Sequence, residues 1–273
     1  MSKWLRFFIN PGSTAAFGIL TAVFTLVPEE VFKLGLVECN WSESWVIVVN
    51  RVILSVIVLA IAEGIYYYRR NNRKEVAIKE RTFSVIIEYG NIFNIKKGKK
   101  VIAFDECFTT NIGDKPEDIK PDSVCGQYLT KYPINDIKSI IKESNVNPSG
   151  KSLFANRESY TPGTIVQRED FLLMAFAKLN EKGIGTISYE EYIKALDELW
   201  NQINIYHGME DVYLPILGSG VTRFDKALTQ QELLDIMIAS YRLSPNKLKR
   251  PYTLHIVCKE LEGFNINEVF GVK

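Results

Sequence analysis

The chain has 273 residues, 47% of them hydrophobic, and its 33 Lys and Arg against 32 Asp and Glu leave a formal net charge of +1. That length supports one large or two modest domains, and the balanced charge excludes the basic surface a nucleic-acid binder needs. The four cysteines, Cys39, Cys107, Cys125 and Cys258, are scattered without a CxxC pair, which argues against a zinc knuckle and a disulfide framework.

The apolar residues gather near the N-terminus. The stretch "STAAFGILTAVFTLVPEEVFKLGLV", residues 13 to 37, lacks a small-residue cleavage site, and Glu38 ahead of Cys39 spoils a lipoprotein box. It predicts a first membrane helix over about 13–35. "WVIVVNRVILSVIVLAIAEGIYYY", residues 45 to 68, predicts a second, because a helix crossing a bilayer core needs about 20 residues. Its Val, Ile and Leu contribute about −0.3 to −0.6 kcal/mol each, together outweighing the ~3 kcal/mol that Arg51 costs at most.

Lys3 and Arg6 precede this pair of segments, Arg69, Arg70, Arg73 and Lys74 follow it, and Glu29, Glu30, Glu38 and Glu43 lie between. The positive-inside rule then predicts a hairpin in a cell membrane with both chain ends cytoplasmic. Trp41, Trp45 and Tyr66 to Tyr68 sit where interfacial aromatics belong, or serve as ordinary packing residues. The alternative is a buried helical hairpin of a soluble protein. Asn50, Arg51 and Glu63 are polar groups at membrane depth, which usually face a bundle interior or a water-filled cavity, so they are candidates for pore lining or anchoring in a homo-oligomer. The chain therefore divides into a membrane hairpin, 1–75, and a cytosolic domain, 76–273.

From about residue 80 short strands alternate with amphipathic helices. "TFSVIIEYGNIF" (82 to 93) reads as a strand ending at Gly90, and "KKVIAFDECF" (99 to 108) as a buried parallel strand. The second half of "TIVQREDFLLMAFAKL" (164 to 179) is another strand. The segment 188 to 208 opens with Ser188 and Glu191 in capping-box spacing, closes at Gly208, and predicts a helix with Tyr192, Ala195, Leu196, Leu199 and Ile203 on one face. "DVYLPILGSG" is a strand running into glycines, 228 to 242 a helix, and 252 to 261 a closing strand. Such alternation implies a three-layer α/β domain with a mainly parallel sheet.

Ligands of open α/β sheets sit at the carboxyl ends of strands. A Gly218-Ser219-Gly220 turn there removes Cβ atoms, so that consecutive amides can close on an anion such as a diphosphate, or it is simply a tight turn. The spacing matches neither a dinucleotide fingerprint nor a P-loop. His207, at a helix end, and His255, inside a strand, read as structural.

The ordered set "YGNIF" (89 to 93), "VIAFDECF" (101 to 108), "PDSVCGQYL" (121 to 129), "LPILGSGVTRF" (214 to 224) and "YTLHIVCKEL" resembles the macro domain, the ADP-ribose-binding α/β module, over roughly residues 82 to 265. The resemblance implies a mixed sheet flanked by helices and a ligand, rather than a cofactor, of the ADP-ribose type. It places Asn91 and Ile92 at the adenine, with Asn91 where the family has an Asp. Asp105, Glu106 and Cys107 fall beside the distal ribose, where the carboxylates either bind hydroxyls or are solvated strand-end groups. Ser123, Val124 and Gly126 fall on a second loop that keeps one of the family's several glycines, a departure that sets inherited hydrolase activity in question. The diphosphate would lie along Leu217, Gly218, Ser219, Gly220, Val221, Thr222, Arg223 and Phe224.

A macro domain behind a membrane hairpin is similar to a narrower group, the membrane-anchored macro effectors of type II Thoeris antiphage systems. That likeness implies that a partner TIR-domain enzyme makes a histidine conjugate of ADP-ribose, that binding drives assembly, and that the helices then permeabilise the inner membrane and stop the infected cell. The long loop "NPSGKSLFANRESYTPGT", 147 to 164, carries Lys151, Asn156 and Arg157, which could close over a bound anion or an appended amino acid. The competing readings are a membrane-tethered hydrolase, with Asp105 or Glu106 activating water, and a tether that recruits ADP-ribosylated partners.

Overall fold

A computed structural model describes residues 10–33 and 42–269, apart from the Glu43 side chain. Lys3, Arg6, Glu38, Cys39 and Trp41, on which parts of the membrane reading rest, lie outside the described residues. The chain divides into two units, Met1–Arg73 and Lys74–Lys273.

In the first unit, Asn10 caps helix α1 (Pro11–Leu26) by accepting from the Ser13 amide, with Pro at the first turn. The helix ends nine residues before the position expected. Val27 precedes Pro28, which disfavours helical backbone, and it is extended at φ −91° and ψ 124°. The 16 residues of α1 give a rise of roughly 24 Å, less than the ~30 Å of a bilayer core. A short 3-10 turn, Glu29–Lys33, follows. Helix α2 (Glu43–Asn71) contains a span, Ser44–Asn71, long and apolar enough to cross a membrane.

Helix α1 packs on α2 through buried Ala16 and Leu20 and through Gly12, where a Cβ would lie 2.9 Å from that of Tyr66. A glycine at such a crossing lets two backbones approach closely. The polar residues of α2 have partners inside this same unit. Asn10 Nδ2 donates to both Glu63 oxygens, at 2.8 and 3.0 Å. Buried Asn50 donates to the Phe32 carbonyl at 2.9 Å, and the Arg51 guanidinium lies 4.9 Å from the Phe32 ring and 3.5 Å from Glu29 Oε1.

The second unit is a mixed sheet between helices. Its strands are β1 (Glu75–Lys79), β2 (Ser84–Tyr89), β3 (Lys99–Asp105), β4 (Gly150–Lys151), β5 (Glu158–Ser159), β6 (Ile165–Arg168), β7 (Phe171–Leu179), β8 (Gly185–Ile187), β9 (Val212–Pro215), β10 (Arg223–Phe224) and β11 (Leu254–Cys258). Its helices are α3 (Val124–Lys131), α4 (Ile137–Glu143), α5 (Tyr189–Tyr206) and α6 (Gln230–Leu243). Among the described residues nine strands share one sheet in the order β1-β2-β11-β9-β3-β7-β8-β10, with β6 beside β7, while β4 and β5 form a separate hairpin. The run β2, β11, β9, β3, β7 is parallel throughout, β1 pairs antiparallel with β2, β6 and β8 pair antiparallel with β7, and β10 adds to β8 in parallel.

Strand β3 is buried on both faces, as a central parallel strand should be. Val101 joins a core with Leu172, Met174 and the inner faces of α5 and α6. Ile102 and Phe104 face the other way, onto Leu173, Cys125, Tyr128 and Leu129 of the α3 layer. The three layers expected from the strand and helix alternation are therefore present. Ser188 with Glu191, and Thr229 with Glu232, form reciprocal capping boxes at α5 and α6. The segment 164 to 179 holds two strands rather than one, because the chain reverses at Glu169, whose φ is +53°, and Asp170.

Candidate ligand-binding site

The parallel strands all end at one edge of the sheet, and the residues singled out from the sequence follow those ends: Asn91 and Ile92 after β2, Asp105 to Cys107 at the end of β3, and Leu217 to Phe224 after β9. Ser123, Val124 and Gly126 open α3, whose Tyr128 ring meets Phe104 of β3 edge-on at 6.1 Å.

The β9 loop is built to leave its tip bare. Leu217 is buried, accepting from the Tyr192 hydroxyl at 3.1 Å, and the Ser219 hydroxyl folds back onto the Ile216 carbonyl at 2.7 Å. Gly218 has φ +82°, and a Cβ there would come within 2.7 Å of the Phe224 ring, so both backbone and packing require glycine. Phe224 in turn packs edge-on against Tyr192 at 5.3 Å. Gly220 has open space around it, Val221 is 62% exposed, and their amides donate to no described residue. Two unpaired donors on an exposed glycine turn are what an anion needs. The helix that follows is not adjacent: Arg223 and Phe224 first pair with β8, and α6 begins only at Gln230, so its dipole does not bear directly on the loop tip.

The end of β3 is arranged in the opposite sense. Asp105 is buried, and its Oδ1 accepts from the amides of Cys107 at 2.8 Å and Thr109 at 3.2 Å. It closes a turn in which Phe108, at φ +50°, swings its ring into the core against Tyr160. Oδ2 is buried and has no hydrogen bond among the described residues. Burial holds the Asp105 carboxyl above its ordinary value of 3.8, and the Thr109 hydroxyl, the Cys107 and Thr109 amides and the nearby Arg157 charge oppose that shift without cancelling it. Glu106 is buried too, its Oε1 accepting from the Ser152 hydroxyl at 2.6 Å and the Leu179 amide at 3.0 Å. Neither carboxylate is a solvated strand-end group. Burial also pushes the Cys107 thiol up to about 11, so it is protonated near neutral pH.

At the first and third loops local structure claims the side chains. Asn91 accepts from the Phe93 amide at 2.9 Å, engaging the oxygen expected at the adenine in a cap, while Ile92 is buried in the core. Ser123 caps α3 by accepting from the Gly126 amide at 3.0 Å, and a Cβ at Gly126 would collide with the Lys120 carbonyl. That glycine serves helix packing. His255 lies between carboxylates, its Nδ1 2.8 Å from Glu88, and stacks on Tyr213 at 4.2 Å, a role within the sheet.

The macro domain of the Thoeris protein ThsA matches residues 85–259, which covers the strands β2 to β11 that build this edge. The chain belongs to the ThsA macro-domain family. Thoeris protein ThsA of Bacillus amyloliquefaciens (strain Y2) is 31% identical over 198 residues, a match covering 67% of this chain and 65% of that relative, so the chain spans a little under two thirds of its length. Among solved structures, an Oceanobacillus iheyensis macrodomain with ADP is 10% identical and covers 68% of this chain and 88% of its own, at a TM-score of 0.40. The same macrodomain with MES bound gives 0.37. ThsA-family membership thus rests on the residues between β2 and β11, the stretch that carries the glycine loop and the buried end of β3.

Proposed function

We propose that this chain is an effector of bacterial antiphage defence that senses an ADP-ribose-derived nucleotide and acts at the membrane. The signal is of the histidine-conjugated type made by a partner TIR-domain enzyme. It binds across the carboxyl edge, with the diphosphate on the Gly220 and Val221 amides. Binding drives the chain into a homo-oligomer that disrupts the inner membrane, with both chain ends on the cytoplasmic side.

The observation that carries this reading is the pair of unpaired amides on an exposed glycine turn at the end of β9, within the span matched to the ThsA macro domain. Helix α2, long and apolar enough to cross a membrane, supports action at the membrane. A ligand that shifts the chain toward an assembled state must bind that state more tightly than the resting one. The hydrolase alternative is weakened at its proposed bases, since both Asp105 and Glu106 are buried and Glu106 is committed to Ser152 and Leu179. General-base catalysis requires a carboxylate within reach of water.

Calorimetric titration of the full chain in detergent with ADP-ribose and with its histidine conjugate, followed by analysis of the recovered ligand and by light scattering, tests this reading. Tighter binding of the intact conjugate, with a rise in particle mass, is expected. Recovery of a cleaved ligand would establish the hydrolase, and binding without a mass change would favour a recruitment module.

A further inference from the structure

The hairpin β4–β5 lies where the sequence shows only a long loop. Its register pairs Gly150 with Ser159 and Lys151 with Glu158, and two consecutive left-handed residues, Ala155 and Asn156, both at φ +51°, turn its tip. Left-handed positions usually draw Gly or Asn, and an Ala there costs about 1 kcal/mol. Contacts at the end of β3 hold it in place. Buried Ser152 donates to Glu106, the Tyr160 amide donates to the Glu106 carbonyl at 2.8 Å, and Arg157 Nη1 donates to Thr109 Oγ1 at 2.9 Å.

Arg157 is the unusual member. A guanidinium has five N–H donors, and Arg157 uses one, on a neutral hydroxyl. Among the described residues it forms no ion pair, although the Asp105 carboxyl is close enough to feel its charge. Thr109, which holds it, also gives its amide to Asp105 Oδ1, while Oδ2 stays buried and unpartnered. A half-buried cation with spare donors is thus fixed at the carboxyl end of β3, the strand that pairs directly with β9 and its glycine loop.

We propose that Arg157 is a specificity-determining residue of this site, reading an anionic group with two free oxygens, a carboxylate or a phosphate, carried on the ligand beyond its diphosphate. This rests on the diphosphate placement given above. The planar fork of arginine matches such a group bidentately, which lysine does not. The hydrogen bond to Thr109 holds the side chain in place before the ligand arrives, so little rotamer entropy remains to be lost on binding.

The experiment titrates the full chain in detergent with three probes: ADP-ribose, ADP-ribose phosphorylated on its distal ribose, and an amino-acid conjugate of ADP-ribose that keeps its carboxylate. The unmutated protein, Arg157→Ala and Arg157→Lys are compared. Arg157→Ala is expected to weaken one or both anion-bearing probes by roughly 10–100-fold, the range of a charge-assisted bidentate contact, and to leave ADP-ribose unchanged, which also reports an intact fold. Arg157→Lys should recover part of the loss. The probe that loses affinity identifies the source of the anion. An equal loss for all three probes, or no loss for any, overturns the proposal while sparing the diphosphate placement. Failure of the unmutated protein to bind any probe overturns both.

Discussion

Two loops at the same edge of the sheet, the glycine turn after β9 and the acidic turn that ends β3, contrast in what the fold has already used. The acidic turn has the residue types most suited to chemistry, yet each carboxylate is engaged internally. Asp105 closes the backbone turn, and Glu106 ties the β4–β5 hairpin to β7. The glycine turn looks like mere punctuation, yet at Gly220 and Val221 it leaves amides without partners among the described residues. Functional capacity at an edge lies in the polar groups that folding leaves unsatisfied, not in the residue types most often catalytic.

The largest effect that separates the two loops should come from Glu106→Ala. Removing a buried acceptor strands the Leu179 amide and the Ser152 hydroxyl, and two such groups cost about 3 kcal/mol together. Chemical denaturation should show a loss of that order, with Glu106→Gln recovering much of it because the amide oxygen still accepts. A Glu106→Ala protein of unchanged stability that no longer bound nucleotide would reverse the comparison and make Glu106 a ligand group.

A smaller effect, visible as a slope, is expected at Asp105. Its folded carboxyl titrates above the ordinary value of 3.8, so over the interval above that value the folded state holds the proton more tightly than the unfolded one. Stability then falls as pH rises from the unfolded value through the folded one, the opposite of a salt-bridged carboxylate. Asp105→Asn keeps an oxygen for the Cys107 and Thr109 amides and removes the titration. Denaturation midpoints followed from about pH 4 upward should decline less steeply in this variant, and parallel profiles would show that Asp105 is ionised without penalty.

The core was legible in the sequence, and the ties that Glu106 makes to the β4–β5 hairpin and β7 were not. Strands β2, β3, β7, β9 and β11 announce themselves by continuous apolar runs, and α5 by the Ser188 and Glu191 box, because those signals are local. The reversal between β6 and β7 was hidden, since Glu169 occupies a left-handed position that usually draws Gly or Asn. The Glu106 partners lie 46 and 73 positions away in the chain, a distance at which no spacing pattern speaks. Asn91, Ser123 and Gly126 lie near the carboxyl ends of the strands but carry caps and packing that only neighbouring backbone reveals. The first helix stopped early at Val27, for which Pro28 was the available signal.

The finest test of the contrast lies within the glycine turn itself. Gly218→Ala must force a side chain into a left-handed backbone and against the Phe224 ring, so it costs stability on the order of 1–2 kcal/mol and distorts the loop as a whole. Gly220 has neither constraint: its φ is not left-handed and a Cβ would meet nothing within 4 Å. Gly220→Ala should therefore leave the denaturation midpoint within about 0.5 kcal/mol of the unmutated protein. Its effect should appear only when a diphosphate must approach the backbone, as a loss of ADP-ribose affinity on titration. A variant that binds normally would mean that the Gly220 backbone is not approached closely, and that the exposed amides of this turn are a by-product of folding Gly218 under Phe224.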